Sequence, residues 1–445
     1  MPAERKSRIY YTDFGCRLNQ FETRVLQNNT VNELASTSNP EDADYIVINT
    51  CTVTNRADVK NRQAIRKARL NNPHAHIIVT GCYATTDEEA LRKMPEIDTV
   101  ISNHEKFSIP QMIQSLHHGY VFEKNKHHTP FPPSRQTLHQ ASRAYLKIQD
   151  GCNKKCSYCK IPIARGKGIS RDIEETISET KSLIEAGFKE IILTGVNIGH
   201  CKQQQRLLND LLKRLADIPG DHFYRISSIE PDTVDKEFLE ILSTEKFARF
   251  LHIPLQSGSN RILKLMRRGH TIEEYIERLA MAVEKIPQIH LGTDIIAGFP
   301  GETEKDFEDT CNVVRNIKFP NIHIFPFSRR SGSEIDKLLM EQRKNNGQPG
   351  KENEIFEVHG NVVRKRIQTL LDLQNKNEIL YTGKTAGFCF RAVIEKVLPE
   401  ELHLVTENYL KGSITLDTKH MTEYRKGEQI LVKYDLDRQF TFCPV

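Results

Sequence analysis

The chain has 445 residues, 38% of them hydrophobic and 27% charged, which excludes a disordered polymer and, at this length, a single small core; two to four packed domains are expected. A formal net charge of +5 permits a nucleic-acid partner without requiring one. No run is apolar enough for a signal peptide or a membrane span, so a cytoplasmic protein is expected. In that reducing compartment the ten cysteines read as metal ligands, catalytic groups or buried side chains rather than as a disulfide framework.

Strands are predicted over 8–14, 45–50 and 77–80, with helices from about 20, over 57–70 and over 87–94. This is the rhythm of a small doubly wound parallel sheet, and it defines a first domain over 6–120. Cys16 in DFGC, Cys51 in INTC and Cys82 in VTGC each lie just past a strand. In open α/β sheets that edge is where ligands bind, so three cysteines remote in sequence are expected to converge. A His-, Pro- and Ser-rich stretch, HHTPFPPSRQ at its centre, makes 121–140 a linker. Six further strand–helix units follow, with strands over 145–149, 190–194, 223–228, 249–255, 290–296 and 322–327. They predict a full or partial (β/α) barrel over 141–375 whose functional loops follow the strands. A long helix is expected over 353–377, and the alternating segments of 376–445 predict a small all-β barrel of OB-like type, a class that often binds RNA.

The sharpest motif is DGCNKKCSYCKIP, in which Cys152, Cys156 and Cys159 are spaced C-x3-C-x2-C. Three clustered thiolates suit three irons of a 4Fe–4S cube and leave the fourth iron open to a small ligand. The bland alternative, zinc, usually takes four ligands in paired knuckles, and no partner pair is evident. Cys16, Cys51 and Cys82, taken singly, would read as small buried hydrophobes. Cys201, Cys311, Cys389 and Cys443 have no ligand spacing and read as structural or incidental. The helix NRADVKNRQAIRKARL carries Arg62, Arg66 and Arg69 among other cations and only one acid; it is either a solvated face or a phosphate-contacting one, and RILKLMRRGH (261–270) poses the same choice.

The triad, with Tyr158 before its last cysteine, resembles the radical S-adenosylmethionine superfamily. The resemblance implies that Cys152, Cys156 and Cys159 hold a cluster whose open iron chelates the methionyl group of S-adenosylmethionine, which is then split to a 5′-deoxyadenosyl radical. ILTGVNIG stands where the family has its amine-binding strand end, with Thr194-Gly195-Val196 in place of the usual Gly-Gly-Glu. RISSIEP, LHIPLQSGS and TDIIAGFPGET look like its later strand-end motifs, which by position implies cofactor contacts from Ser228, Gln256 and Gly298. The stretches GCRLNQFET, INTCTVTNRAD and TGCYA resemble the methylthiotransferase branch, in which a second cluster, here on Cys16, Cys51 and Cys82, carries the sulfur to be inserted. The C-terminal barrel looks like that group's TRAM domain, so the resemblance spans essentially the whole chain.

The resemblance implies two 4Fe–4S clusters and S-adenosylmethionine as both radical source and methyl donor. No acid–base residue is required, because the chemistry belongs to the cofactors. Within the branch, INTCTVTNRAD looks most like the enzymes that act on C2 of N6-threonylcarbamoyladenosine at position 37 of tRNA. Implied partners are the tRNA anticodon stem-loop, an electron donor such as flavodoxin or ferredoxin, and a sulfur donor. The isopentenyladenosine-37 enzymes and those that modify an aspartate of a ribosomal protein share the fold and both clusters. Nine Lys+Arg against nine Asp+Glu from 381 onward do not suggest an acidic platform for a basic ribosomal protein. A non-catalytic iron–sulfur RNA-binding protein would leave the open-iron triad unexplained.

Overall fold

The apolar, β-branched runs YIVINT and HIIVTG are buried along almost their whole length, as strands covered on both faces must be. The structure, a computed structural model, describes residues 6–30, 34–52, 54–117, 130–199, 202–344, 355–416, 423–434 and 440–443. Arg8–Asp13 (β1), Ala35–Ser36 (β2), Tyr45–Thr50 (β3), His76–Gly81 (β4) and Thr99–Val100 (β5) form a parallel sheet in the order β2-β1-β3-β4-β5. Helices Arg17–Asn29 (α1), Asn55–Asn71 (α2), Cys82–Thr86 (α3), Glu88–Arg92 (α4) and Ile109–His117 (α5) accompany it. Alternation along the strands sends Ile46, Ile48, Ile77 and Val79 to one cluster and Ile9, Val47 and Ile78 to another, the period-two signature of a two-faced sheet. The helix expected over 87–94 is the short α4, and a further short helix, α3, precedes it from Cys82, the two separated where Asp87 leaves the helical region.

The described part of the expected linker, 130–140, is not a loose tether. Ser134 is fully buried, its amide donates to Glu179 at 3.0 Å, and its carbonyl accepts from Asn28 at 2.8 Å, so this strap is held from both sides.

Beyond it come Ala144–Lys147 (β6), Gln149–Asp150 (β7), Ile161–Arg165 (α6), Ile169–Ser170 (β8), Ile173–Glu185 (α7), Glu190–Thr194 (β9), Lys202–Ala216 (α8), Phe223–Ile226 (β10), Lys236–Leu242 (α9), Phe250–His252 (β11), Asn260–Leu265 (α10), Ile272–Lys285 (α11), His290–Ala297 (β12), Glu304–Ile317 (α12), Asn321–Pro326 (β13) and Glu334–Lys344 (α13). Parallel ladders β10-β9-β6 and β11-β12-β13 meet through a bridge between Tyr224 and Phe247. The result is a six-stranded partial barrel, and among the described residues no pairing closes β6 onto β13. Ala144, Leu146, Leu193, Ile226, Leu251, Ile253 and Leu291 share one core with the surrounding helices, so the alternate residues Tyr145, Lys147, Arg225, His252 and Asp294 face inward.

The long helix, Gly360–Thr385 (α14), starts and ends later than the expected 353–377. No proline interrupts it, and the chain turns only at Gly387, whose φ is 82°. Cys389–Leu398 (β14), Glu401–Thr406 (β15), Lys411–Thr415 (β16), Gln429–Tyr434 (β17) and Phe440–Phe442 (β18) form an antiparallel sheet in the order β16-β15-β14-β17-β18. A register shift between Ile394 and Lys396 interrupts the β14–β15 ladder. Cys389 and Cys443 form a disulfide, with Cα atoms 6.2 Å apart. Cys389 and Cys443, read as structural or incidental, are thus structural: one bridge, not a framework, formed where two strand ends meet. The small sheet seats at the amino ends of the barrel strands, where Arg225 donates to the carbonyls of Thr406 and Glu407 at 2.9 and 3.0 Å.

Candidate functional site

Gln149 builds the loop that carries Cys152, Cys156 and Cys159. Its amide nitrogen donates to the carbonyls of Asp150 and Gly151 at 2.9 and 2.8 Å, and its oxygen accepts from the amides of Val196 and Asn197 at 2.9 and 2.8 Å. Gly151 turns the chain at φ 70°, and a Cβ there would lie 2.1 Å from the Lys167 carbonyl oxygen. Ser157 pins the far side of the loop to the end of α10, donating from its amide to Met266 O at 3.0 Å and from its hydroxyl to Leu265 O at 2.7 Å. Tyr158 packs edge-on against Phe299, ring centres 6.3 Å apart.

Donors are aimed at each sulfur of this loop: Asn197 Nδ2 lies 3.7 Å from Cys152 Sγ, Arg268 Nη1 3.7 Å from Cys156 Sγ, and the Ile161 amide 3.4 Å from Cys159 Sγ. Donors aimed at sulfur suit a thiolate-bound iron–sulfur cluster and tune it. Burial pushes the Cys159 thiol up to about 12, so a metal that binds there must displace its proton. Arg268 is itself held by Glu230 at 2.5 Å, and Glu230 also accepts from Lys154 at 3.2 Å.

Parallel register brings the other three cysteines together. Asn49 pairs with Asp13 and Thr50 with Gly81, so Cys16, Cys51 and Cys82 follow the carboxyl ends of β1, β3 and β4. Gly15, at φ 95°, lies so close to Cys51 that a Cβ would sit 2.2 Å from its sulfur. Asn61 donates to the Cys51 carbonyl at 2.6 Å. Burial raises the Cys82 thiol, opposed by the nearby charges of Arg165 and Lys106. None of the six cysteines is disulfide-bonded.

Ion pairs bridge the segments beside the two sets of cysteines. Lys160, next to Cys159, reaches Asp87 at 3.3 Å. Deeper in, Glu22 accepts from Lys106 at 2.5 Å, Lys147 at 2.6 Å and both terminal nitrogens of Arg165 at 2.9 Å, while Asp150 accepts from Lys147 at 2.6 Å and Arg165 at 3.0 Å. Burial alone would raise the Glu22 carboxyl, but Arg165, Lys106 and Lys147 outweigh it and hold it well below the usual range. On another side Arg330, from the loop after β13, is buried between Asp58 at 2.9 Å and Asn55 at 2.8 Å and donates to the hydroxyl of Thr52, the residue after Cys51.

Inside the barrel Ser228 Oγ is 2.7 Å from His252 Nδ1, His252 Nε2 is 3.2 Å from Asp294, and Asp294 is 3.1 Å from His323 Nδ1. Burial opposes ionisation of Asp294, yet the two imidazoles hold its carboxyl well below the ordinary value.

A model of the Radical SAM superfamily matches residues 146–314, and one described as uncharacterized protein family UPF0004 matches 8–102. The threonylcarbamoyladenosine tRNA methylthiotransferase MtaB of Aquifex aeolicus is 36% identical over 415 residues, 91% of this chain and 95% of that protein. The chain belongs to the radical SAM methylthiotransferase family. The protein of the same description from Bacillus subtilis is 34% identical, covering 90% and 86%. The tRNA-2-methylthio-N(6)-dimethylallyladenosine synthase of Protochlamydia amoebophila is 31% identical, covering 91% and 88%. Among solved structures, the radical S-adenosylmethionine methyltransferase TsrM of Kitasatospora setae superposes with a TM-score of 0.58 at 14% identity, over 76% of this chain and 75% of that one, a likeness of fold alone.

In this methylthiotransferase the remaining sequence-predicted residues fall at strand ends around the barrel mouth. Thr194 ends β9 and its carbonyl accepts from Ile148 at 2.9 Å; Gly195 abuts Gln149, where a Cβ would lie 2.9 Å from that side chain. Gln256, at φ 67°, bridges to β12 through its amide and Asp294 O at 2.8 Å. Gly298, at φ 76°, donates to Glu302 at 2.7 Å.

The basic segments divide. Arg66 is largely exposed and only 3.6 Å from Glu96, and Arg62 donates to the Tyr83 hydroxyl at 2.6 Å. Arg69 is bound to Asp98 at 2.5 Å and to the carbonyls of Pro73, Ala75 and Glu96, so it closes its own helix end. In RILKLMRRGH, Arg261 holds Asp306 at 2.5 Å and the Arg268 side chain is buried beside Cys156, so these two cations are engaged within the protein, while Lys264 and Arg267 are exposed. Sequence reasoning missed His252, Asp294 and His323. The available signal was polar residues at the inward positions of otherwise apolar strands.

Proposed function

We propose that this methylthiotransferase places a methylthio group on C2 of N6-threonylcarbamoyladenosine at position 37 of tRNA. The observation that carries the reading is the bridging of the segments beside the two cysteine triads by Lys160–Asp87 and by the Glu22 cluster, in a chain whose relatives of matching length bear that description. Cys152, Cys156 and Cys159 hold one 4Fe–4S cluster and Cys16, Cys51 and Cys82 the second. When bound, the clusters and S-adenosylmethionine supply the radical, the sulfur and the methyl group.

The chain's own residues position these parts. Asn197, Arg268 and the Ile161 amide orient the barrel sulfurs. Tyr158, Thr194, Gly195, Ser228, Gln256 and Gly298 line the S-adenosylmethionine side of the mouth, and the exposed cations of α2, Arg66 foremost, hold RNA phosphates beside it. A one-electron donor such as flavodoxin or ferredoxin and a sulfur donor belong to this reading, because reductive cleavage consumes an electron and each turnover removes a sulfur. No helix among the described residues is long and apolar enough to cross a membrane, and the reading puts the protein with its tRNA in the cytoplasm.

Mass spectrometry of tRNA nucleosides from a deletion strain tests this: 2-methylthio-N6-threonylcarbamoyladenosine should disappear and return on complementation. Loss of the isopentenyl product instead would move the protein to the neighbouring branch.

A further inference from the structure

Arg17 follows Cys16 directly and opens α1. The first turn of that helix packs Leu18 and Phe21 against Tyr145 of β6 and Val196, so Arg17 stands at the open edge of the barrel, beside the inward face of β6. Its Nη2 donates to the Tyr409 hydroxyl, and its guanidinium carbon is 5.7 Å from the centre of that ring.

What distinguishes Arg17 is that no acid among the described residues pairs with it. The neighbouring inward cations each hold a carboxylate: Arg143 has Glu395 at 2.5 Å, Arg225 has Glu190 at 2.5 Å, and Lys147 has Glu22 and Asp150 at 2.6 Å. Among the described residues Arg17 pairs with no acid, only with a phenol, and it is exposed, as is Cys16. A guanidinium so placed keeps several N–H donors free in the geometry that fits a carboxylate.

We propose that Arg17 binds the carboxylate of the threonyl group of the substrate base, an inference that rests on the threonylcarbamoyl reading above. The substituent hangs from N6 of the same six-membered ring whose C2 receives the sulfur. With C2 brought to the sulfur site on Cys16, Cys51 and Cys82, a group reaching past that ring comes within a side-chain length of the residue next to Cys16. An isopentenyl substituent has nothing for a guanidinium to bind and would leave it buried under apolar surface, so the same contact selects between the two bases. Tyr409, brought in by the C-terminal sheet, fixes the side chain in place and makes that sheet part of the specificity device.

The test measures binding of the full-length, cluster-reconstituted protein to three anticodon stem-loops that differ only at base 37: threonylcarbamoyl, its carboxamide, and isopentenyl. Wild type should bind the carboxylate form about tenfold or more tighter than the carboxamide, the size of a charge-assisted hydrogen bond. Arg17→Gln should abolish that ratio and Arg17→Lys should keep part of it, with the loss appearing in KM rather than in kcat. A wild-type ratio near one overturns the inference whether or not the variants fold, as does a full ratio in folded Arg17→Gln. Preference of wild type for the isopentenyl stem-loop would instead overturn the substrate reading.

Discussion

Arg165 and Glu22 form a two-point ion pair, both guanidinium nitrogens 2.9 Å from the carboxylate oxygens, closed to water and drawn from parts of the chain 143 residues apart. Arg165 ends the short helix that follows Cys159, and Glu22 lies on the helix that follows Cys16. The pair therefore relates the two cysteine loops to each other.

Glu22→Gln should destabilise the protein by about 3–5 kcal/mol, because Lys106, Lys147 and Arg165 would then share Asp150 alone in a dry site. Urea unfolding of the variant measures this. The same group sets an acid limit in wild type. Its folded value lies below the ordinary 4.5, so its contribution is present above 4.5 and is lost as the pH falls from there through the folded value. Unfolding midpoints should drop over that window, and Glu22→Gln should lack this part of the dependence.

Anaerobically reconstituted protein should hold about eight irons, two cubes of four, and replacing Cys152, Cys156 and Cys159 together by Ala should leave about four. Iron analysis paired with electron paramagnetic resonance gives the count. Retention of the full complement would remove the barrel cluster from the proposal.

Gly15→Ala should disable the N-terminal cluster site selectively. The new methyl would collide with the Cys51 sulfur at 2.2 Å in a backbone conformation at φ 95° that alanine disfavours. The variant should bind about four irons, retain reductive cleavage of S-adenosylmethionine and lose methylthiolation. Eight irons in the variant would show that the loop can yield without losing the site.

Arg66 and Arg69 should behave differently although they share a basic stretch. Arg66→Gln should weaken tRNA binding, lower the salt slope by about one and change stability by less than about 0.5 kcal/mol. Arg69→Gln should cost about 1–3 kcal/mol of stability, because it empties bonds to Asp98 and three carbonyls. Filter binding across a salt series, with a thermal melt of each variant, separates the two.

Local information sufficed wherever the determinant was a pattern along the chain. The buried β-branched runs before Cys51 and Cys82 announced strands, and because parallel strands in register end at one edge, the convergence of Cys16, Cys51 and Cys82 was legible from their position after those strands. The tight spacing of Cys152, Cys156 and Cys159 needed no tertiary information at all. Element ends were less legible: α14 runs on to Thr385 and the helix after Cys82 breaks at Asp87, outcomes of packing and of single backbone angles.

Tertiary structure alone decided what the charged residues do. Nothing along the chain pairs Glu22 with Arg165 or Lys106, yet they meet in a dry junction; Arg268 lies in a basic stretch, yet its side chain is buried beside Cys156. Cys389 and Cys443 were indistinguishable from isolated thiols until the small sheet brought them together. The physical reason is common to all of these. Apolar periodicity is a local property that predicts its own burial, whereas a charge is stable in water or in a matched pair, and which of the two it finds depends on residues hundreds of positions away, as with Arg17 and Tyr409, 392 residues apart.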